Sequence, residues 1–108
     1  MSKKIEFTYD DELYTLEFNR DSVKKMEDHG FNIAQAENKV VSTIDALFKG
    51  AFEMHHSGTS KKKLEEIYDL FSDKTGLFEA LVEMYSDTLK TLTEDNNSKN
   101  AIKWTKMF

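Results

Sequence analysis

The chain has 108 residues, enough for one domain with one modest core. A hydrophobic share of 39% against 32% charged is that of a folded chain rather than a disordered one, and a net charge of -5 argues against a general nucleic-acid binder. There is no cysteine, hence no disulfide and no thiolate chemistry, and no apolar run reaches the roughly 20 residues that a membrane span needs.

In chain order, Met1-Ser2-Lys3-Lys4 leads into a strand rather than a signal peptide. Lys4–Tyr9 alternates apolar with polar, Asp10-Asp11-Glu12 interrupts, and residues 13–18 alternate again. Ile5, Phe7 and Tyr9 share one face, as do Tyr14, Leu16 and Phe18, because side chains alternate across a pleat. This predicts a β-hairpin. A single hairpin is marginal alone, so it needs helical cover through Phe7, Leu16, Phe18, Val23 and Met26.

The first helix follows at once. Asn19 is its predicted N-cap, Phe18 and Val23 its hydrophobic staple, and Gly30 the left-handed residue past its end. Asn32-Ile33-Ala34-Gln35 reads as a capping box that opens one short turn. The second helix is predicted over residues 40–56, with Val40, Val41, Ile44, Leu47, Phe48, Ala51, Phe52 and His55 on one stripe. Ala46 and Gly50 form a small-residue step where another helix can approach closely. Residues 57–60 end this helix and cap a third, whose apolar face is Leu64, Ile67, Tyr68 and Phe71.

After a break at residues 72–76, a fourth helix is predicted over residues 77–93. Its apolar residues span about 160° of its surface, where an ordinary surface helix needs about 100°. It is therefore central in the monomer or shared with another subunit. The domain is expected to end at residue 93. Residues 94–100 are a polar linker and residues 101–108 an aromatic closing segment with Ile102, Trp104 and Phe108 in one parity. Trp104 and Phe108 either complete the chain's own core, as a third strand on the hairpin, or dock on a partner's sheet edge or groove.

Catalytic signals are missing. Glu53 and His56 stand at the Glu-x-x-His step of carboxylate-bridged metal pairs, but no second copy exists and the other histidines, His29 and His55, do not supply one. No nucleophile elbow or phosphate loop is present, and Glu65-Glu66 are adjacent on a helix, so they do not face each other. No enzyme, no metal and no cofactor is therefore expected. Lys61-Lys62-Lys63 sits at a helix start, where the macrodipole disfavours positive charge. With His55 and His56 it forms a basic cluster. It is either a solvated helix start or a contact for an acidic partner segment.

Several stretches together resemble a known family. They are Ile5-Glu6-Phe7-Thr8-Tyr9-Asp10, Tyr14-Thr15-Leu16-Glu17-Phe18-Asn19-Arg20, Met26-Glu27, Gly30-Phe31, residues 46–52 with His55-His56, and Glu66-Ile67-Tyr68. They resemble the tail assembly chaperones of Gram-positive siphophages and prophages, small proteins that escort the long, helical tape measure protein. Asp11 departs from the glycine expected in the hairpin turn, which bears on the turn type.

The resemblance implies a non-enzymatic chaperone that shields the tape measure protein until tail tube protein subunits replace it. It further implies a homo-oligomer, a ring or spiral with a hexamer as the expected form. The location would be the host bacterial cytoplasm during infection, with absence from the mature virion. The alternatives are a structural or adaptor component retained in the tail, and a small regulatory module that binds a host factor. Neither nucleic acid nor membrane is an expected partner.

The fold expected is α+β, an N-terminal β-hairpin packed on a bundle of about four helices. The partner-binding candidates are Phe48 and Phe52 of the second helix and Tyr85 and Leu89 of the fourth, forming an apolar groove for an amphipathic helix. Lys61, Lys62, Lys63, Trp104 and Phe108 are the further candidates.

Overall fold

The computed structural model describes residues 3–108; Met1 and Ser2, part of the expected strand lead-in, lie outside them. The chain forms β1 (Lys4–Tyr9), β2 (Glu12–Glu17), α1 (Arg20–Asp28), a short 3-10 turn (Ile33–Gln35), α2 (Val40–Glu53), α3 (Lys61–Asp69) and α4 (Lys74–Thr93). This is the expected α+β architecture, an antiparallel hairpin followed by four packed helices.

The hairpin pairs Lys4 with Glu17 through to Tyr9 with Glu12. That leaves a two-residue turn, Asp10-Asp11, with φ of 52° and 62°. Positive φ at both central residues is the type I′ turn, whose twist matches the strands it joins. Aspartate tolerates that region better than most residues, so the hairpin closes without the expected glycine. Tyr14, Leu16 and Phe18 are buried on one face of β2, and Ile5, Phe7 and Tyr9 lie half-buried against the same core.

The starts of α1, the 3-10 turn and α3 have the anticipated caps, α2 has no side-chain cap, and α4 begins at Lys74, three residues before the predicted start. Asn19 Oδ1 accepts from the Ser22 amide at 2.8 Å, and Asn32 Oδ1 from the Ala34 amide at 3.0 Å. Ser60 caps α3 through the Lys63 amide and Asp73 caps α4 through the Gly76 amide. Such caps contribute about 1 kcal/mol each. Gly30 ends the first helical segment at φ 90°. α2 ends at Glu53, three residues before the predicted limit, although the His56 amide still bonds to the Phe52 carbonyl at 3.1 Å.

α2 lies at the centre, in contact with β2, α1 and α4. Its Leu47, Phe48, Ala51 and Phe52 are all buried. Gly50 is the point of closest approach to α1: a Cβ there would collide with the Met26 thioether. The small-residue step thus receives a side chain of the chain's own first helix. Phe7, Tyr14, Phe48, Phe52 and Phe71 form a continuous aromatic layer, with ring centroids 5.0 to 6.4 Å apart.

α4 divides its wide apolar stripe. At 100° per residue, Met84, Leu77, Leu81 and Tyr85 cover about 100° and are buried, the width one core normally takes. Phe78, Leu89 and Val82 occupy the next roughly 60° and are partly buried, packed against the edge of the core. No helix of the described residues is long and apolar enough to cross a membrane.

Candidate functional site

The predicted site residues fall into three groups with different environments. Phe48, Phe52 and Tyr85 were expected to line an open groove, and the structure corrects their placement. They are 3%, 1% and 1% exposed. Phe48 and Phe52 lie beneath the hairpin and the α3–α4 connection, against Tyr14, Tyr68 and Phe71. Tyr85 is met edge-on by Phe18 at 5.4 Å and Phe31 at 5.1 Å. Helical periodicity identifies an apolar face but not which partner covers it; here the same chain does. Leu89 is partly buried, packed against the core. A shallow depression nearer the start of α4 is lined by Gly76, Phe78, Ala80 and Val82, with Glu79 and Glu83 beside them.

The basic cluster is built around Tyr14. Lys63 Nζ sits 5.7 Å from the Tyr14 ring centroid, and the His56 ring lies 4.8 Å from it. Tyr14 Oη donates to Glu12 Oε2 at 3.0 Å. A hydrogen bond to Tyr14 is the main cause that raises the Lys63 pKa above its ordinary value. Lys61, Lys62 and Lys63 are all exposed at the first turn of α3.

The two adjacent histidines have structural partners. His56 Nε2 accepts from the Thr15 amide at 3.0 Å, so α2 satisfies an outward-facing group of β2. His55 Nε2 lies 2.9 Å from Glu17 Oε1, and Glu53 pairs with Lys25 at 3.5 Å. Both histidines thus tie the end of the α2 segment to the hairpin. Glu53 and His56 therefore point to different partners, and among the described residues no group of three or more His, Asp or Glu is placed to hold a metal ion.

The third group is the C-terminal segment. Beyond Thr93 no regular secondary structure follows. Ile102, Trp104, Met107 and Phe108 are 93%, 82%, 89% and 98% exposed. A third strand on the chain's own hairpin, one of the two alternatives for this segment, is absent among the described residues, where the sheet has two strands. The radius of gyration, 16.2 Å, exceeds the roughly 13 Å of an ordinary domain of this length, as an extended tail requires.

One feature gave no signal in the sequence: an open groove of about 1100 Å³ between α1, the 3-10 turn and α2. Its floor includes Thr43, Ala46 and Gly50, while Lys24, Lys25 and Lys49 stand at its sides. It forms because small residues on α2 leave space where α1 crosses.

The molecule is thus a small α+β protein of hairpin-plus-helices design, with its exposed large apolar side chains at Leu13, Val40, Val41, Met54 and Leu70 and on a basic, aromatic tail. It belongs to the family described as a domain of unknown function, DUF5055, whose profile matches residues 1–108. No curated protein and no solved structure matches the chain.

Proposed function

We propose that this protein is a non-enzymatic tail assembly chaperone that binds and shields the tape measure protein of a siphophage or prophage. Two lines support the reading. The first is the sequence resemblance, spread over the hairpin, α1, α2 and α3. The second, which carries it structurally, is the undivided apolar margin of α4. Phe78, Val82 and Leu89 extend the stripe beyond its fully buried part and lie at the edge of the core, packed against it yet only partly buried. A strip about 60° wide suits the apolar face of an amphipathic client helix laid alongside α4.

In this reading the client surface lies outside the core, displaced by one helical ridge from Phe48, Phe52 and Tyr85. Contact is modest per copy. Self-association, in a ring or spiral, multiplies it along a long helical client while leaving each contact weak enough to be displaced by tail tube subunits.

Co-expression with the tape measure protein of the same genome tests the proposal. The two are expected to co-purify, and Phe78→Ser/Val82→Ser is expected to lose the client while retaining the fold. Wild-type protein that never captures the tape measure protein overturns the chaperone reading. Stoichiometric presence in purified virions favours a retained structural component instead.

A further inference from the structure

We propose that residues 101–108 of one copy pair as an added β-strand with the open edge of β1 in a second copy. The proposal is independent of the client's identity.

The edge is defined by the hairpin's register. In a two-residue hairpin the pair beside the turn, Tyr9 and Glu12, exchanges both backbone bonds, and bonded and non-bonded pairs alternate from there. The backbone groups of Lys4, Glu6 and Thr8 therefore point away from β2. The same alternation turns Thr15 outward on the opposite edge, where its amide is taken by His56 at 3.0 Å. β2 is thus closed by α2. No counterpart exists on β1: among the described residues no further strand pairs with it, and no backbone bond reaches Lys4, Glu6 or Thr8 from outside the hairpin. The strand contains no proline and no bulge, two of the usual devices that protect an edge.

The tail has the properties of the missing strand. It is eight residues long, against six for β1. It alternates in part, with Ile102, Trp104 and Phe108 on one parity together with Lys106, and Ile102, Trp104, Thr105 and Phe108 are residue types that favour pleated structure. Four large apolar side chains in it are almost wholly exposed, an arrangement that one monomer leaves unsatisfied.

Charge selects the partner. Residues 99–108 contain Lys99, Lys103 and Lys106 and no acidic residue, whereas all 20 acidic residues lie in residues 1–98. A cationic strand fits the acidic body of this same chain. Beside the start of β1, Lys3 already bridges to Glu83 at 3.2 Å and Asp87 at 3.8 Å on α4, so carboxylates border the edge. Every copy has one tail and one edge. The contact is head-to-tail, which closes into a ring or runs on as a spiral according to the rotation between copies.

Trp104 is the only tryptophan, so its fluorescence reports the tail directly. Diluting full-length protein from micromolar to nanomolar concentration should shift its emission from blue to red as the associated species dissociates in sedimentation. Trp104→Ala/Phe108→Ala should weaken association at least tenfold, as loss of central aromatic anchors does. Glu6→Pro should do the same, because it removes one outward amide and spares the inner ladder. Mixed together, the tail-defective and edge-defective variants should recover one interface and form a 1:1 heterodimer that grows no further.

Four results overturn the proposal. They are a strictly monomeric wild type, undiminished association of the tail variant, a mixture that stays monomeric, and a blue emission at every dilution, which means the tail folds onto its own chain. Should Glu6→Pro fail to fold, Thr8→Pro replaces it on the same edge. The tail variant alone then still decides, since its substitutions lie on exposed positions. Loss of self-association with retained capture of the tape measure protein separates this interface from the proposed client site.

Discussion

Replacement of Tyr85 by alanine removes a ring that is 1% exposed and packed edge-on against Phe18 and Phe31. A buried aromatic side chain covers roughly 150–250 Å², worth about 4–6 kcal/mol at ~25 cal/mol per Å² as an upper bound. Large-to-small changes of buried aromatics cost about 3–5 kcal/mol, because the site collapses only in part. Loss of two edge-on ring contacts places Tyr85→Ala near the middle of that range, about 4 kcal/mol. A domain of this size holds roughly 5–15 kcal/mol in total, so the variant sits close to unfolding. Trp104→Ala, at an 82% exposed position, should change monomer stability by less than about 0.5 kcal/mol. Leu89→Ala should fall between them. Urea denaturation followed by circular dichroism, at a concentration where the chain is monomeric, measures all three. The reasoning fails if Tyr85→Ala costs less than about 1 kcal/mol, for then the ring is a surface residue and the groove reading of Tyr85 returns.

His56→Ala should cost about 2 kcal/mol, by leaving the Thr15 amide without its acceptor and removing a ring from Tyr14 and Phe52; faster hydrogen exchange at Thr15 checks it. Asp10→Asn/Asp11→Gly should stabilise by about 0.5–1 kcal/mol, since both positions have positive φ and Asn-Gly is the preferred type I′ pair; a higher urea midpoint is the expected result. Burial pushes the Tyr85 phenol above its ordinary 10.0, with Glu27 adding, and burial raises Tyr68 likewise. The folded pKa being the higher one, this stability is fully present below about pH 10 and is lost as pH rises through the raised values, because the unfolded chain ionises first. Urea midpoints from neutral to strongly alkaline pH should therefore fall less steeply in Tyr68→Phe/Tyr85→Phe than in wild type.

Local chemistry made the framework readable before any coordinates. The hairpin follows from two alternating runs around a charged break, and the caps of α1, the 3-10 turn and α3 from a polar side chain placed two or three residues before the amide it satisfies; the Asp73 cap, which starts α4 inside the expected break, was not read. These rules act over a few residues, so a sequence carries them in full. The roles of His55 and His56 were not readable. Their partners, Glu17 and Thr15, lie 38 and 41 residues away, and nothing in a Glu-x-x-His step distinguishes a ligand pair from two hairpin clamps. The groove between α1 and α2 escaped for the same reason: the small residues were visible, but the crossing of the two helices that shapes it is tertiary.

Phe48 and Phe78 show where periodicity stops. Each lies on an apolar stripe of its helix, yet Phe48 is 3% exposed and Phe78 is only partly buried. What separates them is the angular width of the stripe. α2 is surrounded by β2, α1 and α4, so its apolar face from Leu47 to Phe52 finds neighbours within the chain, while Val40 and Val41 of its first turn stay exposed. α4 is covered on one side only, and its buried residues take up about 100° before the cover ends. In a stripe of about 160°, the residues at that margin, Phe78, Val82 and Leu89, pack against the edge of the core and are only partly buried, while Leu77, Leu81 and Tyr85 at its centre set the stability.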